Sequence, residues 1–227
     1  SLATQNSKLT MFFLSLGSNL GNRAQYLQHA LFLLHREVGK VVKVSPLYES
    51  PAWGFSSEPF YNICAELHTD LPLEALLPRF HAIEARLGRV RTSQPSEGYK
   101  ARTLDIDILY NDDKIVQTDT LCIPHPQLAL RRFVLQPLAD IAPDFVDPAK
   151  GQTISQLLEV CPDTAALSLV KQDFALPVNR GTIPYRYITI EGNIGAGKTS
   201  LATRLAEDFS GQLLLEEFAT NPFLEDF

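Results

Sequence analysis

Two aspartates at alternate positions, preceded by arginines, are the residues of this sequence best suited to chemistry. Asp105 and Asp107 lie in the segment RTLDIDILY (102–110). The apolar residues around them alternate as in a strand with one buried face, and they are Leu104, Ile106, Ile108 and Tyr110. Because aspartate is depleted in strands, two aspartates on one strand face indicate a function.

Side chains at alternate strand positions point the same way, about 6.5–7 Å apart. Two such carboxylates can hold Mg²⁺, which usually takes one or two carboxylates plus waters and substrate phosphates, and a pair of ions can clamp an in-line displacement at phosphorus. Basic residues suited to phosphate oxygens surround the pair in sequence, namely Arg89, Arg91, Lys100, Arg102, Arg131 and Arg132. The pattern predicts a Mg-nucleotide site. The alternative is an edge strand whose exposed aspartates pair with nearby arginines.

Composition restricts the classes of protein to which the chain can belong. A net charge of −6 over 227 residues disfavours a general binder of nucleic acid or membrane surfaces. Three widely spaced cysteines, Cys64, Cys122 and Cys161, predict neither a disulfide framework nor a zinc site and favour a cytoplasmic location. No apolar run is long enough to span a membrane, and no signal peptide is visible. Residues 1–10 are polar, as in a loose tail or a cloning remnant.

The elements that must position these residues follow from apolar periodicity. Strands are predicted at 11–16, 40–50, 60–70 and 104–110, and helices at 22–38 and 72–88. Asn22 is the expected N-cap of the first helix and Gly39 its stop, and Pro78 predicts a kink or a later start of the second. The order β-α-β-β-α-β predicts an α+β, ferredoxin-like split β-α-β sheet. Turns and loops are expected at 125–147, and a last short helix at 153–160.

Five segments together resemble the motifs of the 6-hydroxymethyl-7,8-dihydropterin pyrophosphokinase family. They are LSLGSNLGNR (14–23), YESPAWG (48–54), GRVR (88–91), ARTLDIDIL (101–109) and IPHPQLALRRFVLQPLADIAP (123–143). The resemblance covers about residues 11–165. It implies transfer of pyrophosphate from ATP to the pterin hydroxymethyl group, giving AMP, with two Mg²⁺ as cofactors and ATP as co-substrate. It implies small-molecule partners, without nucleic acid or membrane, and does not indicate an oligomeric state.

The resemblance also implies a role for each matching residue. Asp105 and Asp107 would be the metal ligands, and they would form the catalytic group with Arg89, Arg91 and Arg102. ATP would contact His81, Glu84, Arg89, Tyr99, Arg102, Ile108, His125 and Arg131. The pterin would contact Ser50, Pro51, Phe60, Tyr61, Asn62 and Phe133. The chain departs from some family members at Tyr99, where they have tryptophan, and at Pro126, where they have tyrosine.

Elementary chemistry agrees with these roles. A flat pterin needs an aromatic face such as Phe133, and the amide of Asn62 can both donate and accept at its edge. The substrate hydroxyl attacks phosphorus directly, so positioning and charge neutralisation suffice. Each residue also has an ordinary structural interpretation: Asn62 as a strand or turn residue, Phe133 as core and His125 as the cap of a turn.

A second motif lies near the C-terminus. The pattern G-x-x-x-x-G-K-T is formed by Gly192, Gly197, Lys198 and Thr199, with Gly195 between them, after a predicted strand (187–192) and before a helical pattern. The wording IEGNIGAGKTSLA resembles the start of a deoxynucleoside kinase, in which Glu217 would be the base. We therefore expect a pterin domain at 11–170, a linker at 171–186 and a short β-α-β P-loop segment at 187–227. That segment is too short for a complete kinase, as in a truncated two-enzyme fusion.

Two other functions remain possible from the sequence. The P-loop could be the main activity, although the length of its segment argues against this. The sheet could instead be an RNA-binding or regulatory module, which predicts exposed aromatics and a basic sheet face rather than a strand bearing aspartates.

Overall fold

The computed structural model describes residues 9–54, 56–90, 100–171, 174, 188–193, 195–209 and 213. The chain divides into two compact units, residues 1–177 and 178–227. Within the described residues, no helix is both long and apolar enough to cross a membrane.

The first unit is a mixed α/β structure built on an antiparallel sheet. Its strands are β1 (Thr10–Ser18), β2 (Lys40–Val44), β3 (Leu47–Ser50), β4 (Phe60–Thr69), β5 (Asp105–Asn111) and β8 (Ser168–Val170). They lie in the order β5-β1-β4-β3-β8, and β2 also pairs with β4. The split β-α-β order is therefore confirmed, but the strand predicted at 40–50 is divided in two at Ser45 and Pro46. A short hairpin joins β6 (Val116–Gln117) to β7 (Cys122–Ile123).

Two helices cover one face of this sheet. α1 (Arg23–Glu37) begins where the Asn22 side chain accepts a hydrogen bond from the Gln25 backbone N–H, as expected of an N-cap. α2 (Leu73–Arg86) contains Pro78. Their apolar stripes form one core with the facing strand residues, including Leu27, Leu31, Leu34, Leu76, Phe80, Ile83, Phe12, Leu14, Leu16, Ile63, Ile106 and Ile108.

The opposite face carries a second apolar cluster and two further helices. α3 (Arg132–Ile141) occupies a stretch predicted as turns and loops, so that prediction is wrong. Pro137 inside the helix lacks a backbone donor, but burial of Val134, Leu135 and Leu138 holds the helix against the sheet. α4 (Ile154–Glu159) was predicted, and Thr153 and Gln156 form its capping box.

A β-bulge changes which residues of β5 share a face. Tyr110 pairs with Phe13 and Ile108 with Leu14, so Leu109 is the extra residue of the register shift. Ile106 and Ile108 pack with the α1–α2 core, whereas Tyr110 lies in the second cluster. The predicted stripe of four apolar residues is therefore wrong at Tyr110.

Gly39 follows α1 as predicted, but close packing is why the position needs glycine. A Cβ atom there would lie 2.4 Å from the His68 carbonyl oxygen and 2.6 Å from the Thr69 Cβ atom. The backbone N–H of Gly39 also donates to the Leu34 carbonyl at 3.0 Å.

The second unit is described at 188–193, 195–209 and 213, where it contains α5 (Lys198–Phe209). The strand predicted at 187–192 is absent over the described residues 188–193. A strand needs a partner for its backbone groups, and no described segment of this unit pairs with it.

Candidate active site

Asp105 and Asp107 point to the sheet face opposite α1 and α2, since they alternate with Ile106 and Ile108 of the α1–α2 core. The cleft that they line also includes Leu77 and His81 of α2. On the neighbouring strand β1, Gly17 is paired with Asp105 and Ser15 with Asp107. Both residues are small and fill little of the cleft. A Cβ atom added at Gly17 would be in van der Waals contact with the side chains of Asn62 (3.5 Å) and Phe60 (3.6 Å). The two carboxylates alternate on β5 and share one face, and the small residues of β1 lie beside them in the cleft.

Two arginines hold the first aspartate. Arg102 Nη1 lies 2.8 Å from Asp105 Oδ2, and Arg89 contacts Asp105 Oδ1. Arg89 Nη1 also lies 2.6 Å from Glu84 Oε1, and Glu84 is fully buried and accepts the Ile106 backbone N–H at 2.9 Å. Burial lowers the pKa of Arg89, but the charges of Asp105 and Glu84 outweigh it and the net direction is upward. Arg89 is thus a fixed cation at the edge of the cleft.

The second aspartate lacks comparable compensation for its charge. Burial raises the pKa of Asp107 to about 7, the charge of Asp105 adds to the rise, and Arg131 and Arg102 oppose it. A divalent cation between the two carboxylates would favour the ionised form. No group of three or more His, Cys, Asp or Glu able to hold a metal occurs among the described residues. Two carboxylates alone suit Mg²⁺, because waters and phosphates complete its shell.

Part of the cleft is lined by residues of β3, β4 and α3. Asn62 is buried, and its Nδ2 donates to Ser50 Oγ at 3.0 Å and to the Phe60 carbonyl at 3.4 Å. The Ser50 hydroxyl donates to the Pro51 carbonyl at 3.2 Å. With Phe133 these residues line the cleft, forming an aromatic and amide-bearing wall suited to a flat heterocycle.

Arg131 and His125 also line the cleft. The Arg131 guanidinium is 4.7 Å from the Trp53 ring centroid and 5.8 Å from that of Phe133, and it contacts Gln127. Burial lowers the pKa of His125 to about 4, and the charge of Arg131 adds to the lowering. His125 is therefore neutral at pH 7, and its Nδ1 accepts the Gln127 backbone N–H at 3.3 Å.

The cleft has a volume of about 710 Å³, within the range of ligand sites. The sequence interpretation missed several lining residues, namely Ser15, Gly17, Trp53, Leu77, Gln127 and Thr118–Cys122. Trp53 belongs to the segment YESPAWG (48–54), and its place in that motif could have identified it as a site residue. The stretch 118–122 has no periodicity, and only the β6–β7 pairing brings it to the cleft.

Most residues predicted to contact ATP, metal or pterin line this cleft. Others do not, or lie outside the described residues. Tyr61 points to the opposite sheet face, where it packs against the α1–α2 core and the Arg23 guanidinium (3.6 Å), because it alternates with Phe60 and Asn62. Glu84 lies behind Arg89 and is not in the cleft wall. Arg91, Tyr99 and Glu217 lie outside the described residues. His81 and Ile108 line the cleft, and their contact with ATP stays a prediction.

Two glycines of the C-terminal motif have positive φ in the second unit. Gly195 and Gly197 have φ of 81° and 76°, the left-handed region that favours glycine. Lys198 Nζ donates to the carbonyls of Gly192 (2.5 Å) and Asn193 (2.8 Å). α5 begins at Lys198 and Thr199 lies in its first turn, so backbone N–H groups gather there.

Comparison with known proteins identifies relatives of the first unit. The model of the family described as 7,8-dihydro-6-hydroxymethylpterin-pyrophosphokinase (HPPK) matches residues 13–143. The 2-amino-4-hydroxy-6-hydroxymethyldihydropteridine pyrophosphokinase of Synechocystis sp. is 41% identical over 151 residues, which are 66% of this chain and 75% of the relative. The enzyme of the same name from Porphyromonas gingivalis is 42% identical over 137 residues, which are 60% of this chain and 92% of the relative.

Two longer proteins are also similar. Folic acid synthesis protein fol1 of Pneumocystis carinii is 40% identical over 148 residues, which are 65% of this chain, and the chain spans a fifth (20%) of that relative. The crystal structure of Plasmodium falciparum HPPK-DHPS A437G with STZ-DHP has a TM-score of 0.56 at 16% identity, over 69% of this chain and 46% of that one. The structural likeness shows a shared fold.

Proposed function

The chain belongs to the 7,8-dihydro-6-hydroxymethylpterin-pyrophosphokinase family, and on this premise we propose how its cleft transfers pyrophosphate from ATP to 6-hydroxymethyl-7,8-dihydropterin, a step of folate synthesis that yields AMP. The observation that carries the proposal is the placement of Asp105 and Asp107 between two arginines and an aromatic pocket, all lining one cleft. The ATP phosphates and the pterin alcohol would meet at the aspartates.

The residues of the chain bind and orient, and none has to act as a nucleophile. Asn62 would read the pterin edge with its amide, and Phe60 and Phe133 would enclose the ring. Arg102 and Arg131 would neutralise charge on the transferred group, which is where phosphoryl chemistry needs stabilisation. Arg91 and Tyr99 stay predictions for the nucleotide side.

Asp105 and Asp107 would hold magnesium, for which two carboxylates on one strand face are a fitting donor set. When bound, Mg²⁺ neutralises phosphate charge and orients the phosphate oxygens. Asp107 is half-buried beside Asp105, so a cation would stabilise the charge of the pair. The number of ions, two, comes from the family resemblance.

Omission of substrates and replacement of Asp105 test the proposal together. AMP should form only when ATP, Mg²⁺ and the hydroxymethyl pterin are all present. Asp105→Ala should reduce the rate at least about 100-fold, the scale for loss of a principal electrostatic group. Asp105→Asn keeps the shape of the side chain and should lose the rate equally if charge is what matters.

The matched control is Asp113→Ala, which removes an exposed carboxylate from the turn after β5. Its rate should equal that of the parent. Full activity in Asp105→Ala, or AMP formation without pterin, would overturn the proposed role of the cleft.

For the second unit, we propose that residues 187–227 are the start of a P-loop deoxynucleoside kinase that binds phosphate. The support is the glycine geometry and the position of Lys198 before Thr199 at the start of α5, an arrangement that favours anions. The role of Glu217 as the base of that kinase stays a prediction from sequence.

A cytoplasmic location also stays a prediction from sequence. It was based on the three cysteines, which are free in the structure.

A further inference from the structure

Asn19 joins two segments that carry opposite halves of the cleft. It follows β1 and is 2% exposed. Its Oδ1 accepts the backbone N–H of Arg102 at 2.7 Å, and its Nδ2 donates to Ser57 Oγ at 2.9 Å and to the Glu58 carbonyl at 3.1 Å. Its own backbone N–H donates to the Arg102 carbonyl at 3.0 Å.

These partners fix the orientation of the amide. A backbone N–H can only donate and a carbonyl can only accept, so the oxygen must face Arg102 and the nitrogen must face Glu58. An amide is the side chain that offers both roles from one small group. Asn19 itself is not in the cleft wall, so any effect on catalysis acts through the segments it holds.

Under the proposed function, on which this inference rests, the two segments would contact different substrates. Arg102 grips Asp105 at 2.8 Å and lies on the phosphate side. Ser57 and Glu58 end the loop that carries Trp53 and leads to Phe60, a wall of the pterin pocket. The Arg102 guanidinium also lies 5.7 Å from the Phe60 ring centroid, so the two sides meet there.

We infer that Asn19 is a positioning residue that couples the pterin-side loop to the phosphate-side arginine, holding both substrates in register for transfer. A small misplacement of reacting groups costs about 100-fold in rate. Loss of the bridge would therefore be measured in kinetics, in addition to the stability lost when the Arg102 N–H has no side-chain acceptor. Other contacts still hold the same segments, because Arg23 Nη1 donates to the Pro59 carbonyl at 2.7 Å and the backbone N–H of residue 19 donates to the Arg102 carbonyl at 3.0 Å.

Two substitutions separate the arms of the bridge. Asn19→Ala removes both, and kcat/KM should fall about 10- to 100-fold for ATP and for pterin. Asn19→Asp keeps an acceptor for the Arg102 N–H but removes the donor to Glu58. It should raise KM for the pterin about tenfold while KM for ATP stays within about twofold.

The control is Asn22→Ala, three residues away, which removes the α1 cap and lowers stability without touching either segment. If Asn19→Ala matches Asn22→Ala in kcat and KM, the inference is overturned, because Asn19 is then structural only. It is also overturned if Asn19→Asp raises both KM values equally. Failure of the parent protein and of Asn22→Ala to form AMP would instead refute the proposed function.

Discussion

His125 is the residue whose environment predicts a pH effect most directly. Burial beside Arg131 lowers its pKa from about 6.5 to about 4. The unfolded chain therefore takes up a proton between these pH values when the folded chain does not, and stability falls as pH falls through this window. From pH 7 to pH 5, we expect a loss of about 2 kcal/mol in the free energy of unfolding from this residue.

Denaturant unfolding of parent and His125→Asn at pH 7 and pH 5 measures this contribution. The variant should lose less stability over the interval, by about 2 kcal/mol. His29→Asn is the control, because His29 is exposed on α1. If the free energy of unfolding changed equally with pH in the parent and in His125→Asn, protonation of His125 would not be the cause of the change.

At the residue scale, the alternation of side chains along a strand was enough to predict which residues share a face. Asp105 and Asp107 share a face and line the cleft. The same parity gives Phe60 and Asn62 one face and excludes Tyr61, a signal that was present and not used. Glu84 could not be resolved in this way, because its burial behind Arg89 depends on how α2 packs against β5.

At the scale of elements, Gly39 packs the junction of α1 and β2 closely against His68 and Thr69 of β4. A Gly→Ala change usually stabilises by reducing the entropy of the unfolded chain, by about 0.4–1 kcal/mol. At Gly39 the added Cβ atom would meet a carbonyl at 2.4 Å, and overpacking costs about 1–3 kcal/mol. The steric cost should win, so Gly39→Ala should unfold at a lower denaturant midpoint than the parent.

The adjacent exposed residue supplies the comparison. Lys40→Ala changes a solvent-facing side chain at the start of β2 and should stay within about 0.5 kcal/mol of the parent. Equal midpoints for Gly39→Ala and the parent would mean that β4 moves aside at little cost.

Elements with regular periodicity were predicted and irregular ones were not. α1, α2, α4 and the strands before the bulge follow their apolar patterns. The bulge at Leu109 adds a residue that no pattern marks, and Tyr110 changes face as a result. In α3, burial of the apolar residues outweighs the hydrogen bond that Pro137 cannot donate.

At the scale of the whole molecule, the described residues that line the cleft all fall between 15 and 134, so the glycine motif of the second unit should be dispensable for pterin chemistry. Lys198→Ala should form AMP within about twofold of the parent rate, because Lys198 contacts only loop carbonyls among its described hydrogen-bond partners. Lys150→Ala, an exposed lysine of the first unit, is the control.

A binding measurement then separates the two proposed nucleotide sites. In the Asp105→Ala background, residual ATP binding should be lost when Lys198 is also replaced, if the P-loop holds phosphate. A large loss of AMP formation in Lys198→Ala alone would mean that both units serve one reaction.

Trp53 is the single tryptophan of the chain, and it stands in the cleft wall with the Arg131 guanidinium 4.7 Å from its ring. All intrinsic indole emission of the protein therefore originates beside the proposed pterin pocket. The molecule carries its own optical reporter, and occupancy of the cleft can be followed by fluorescence without a label.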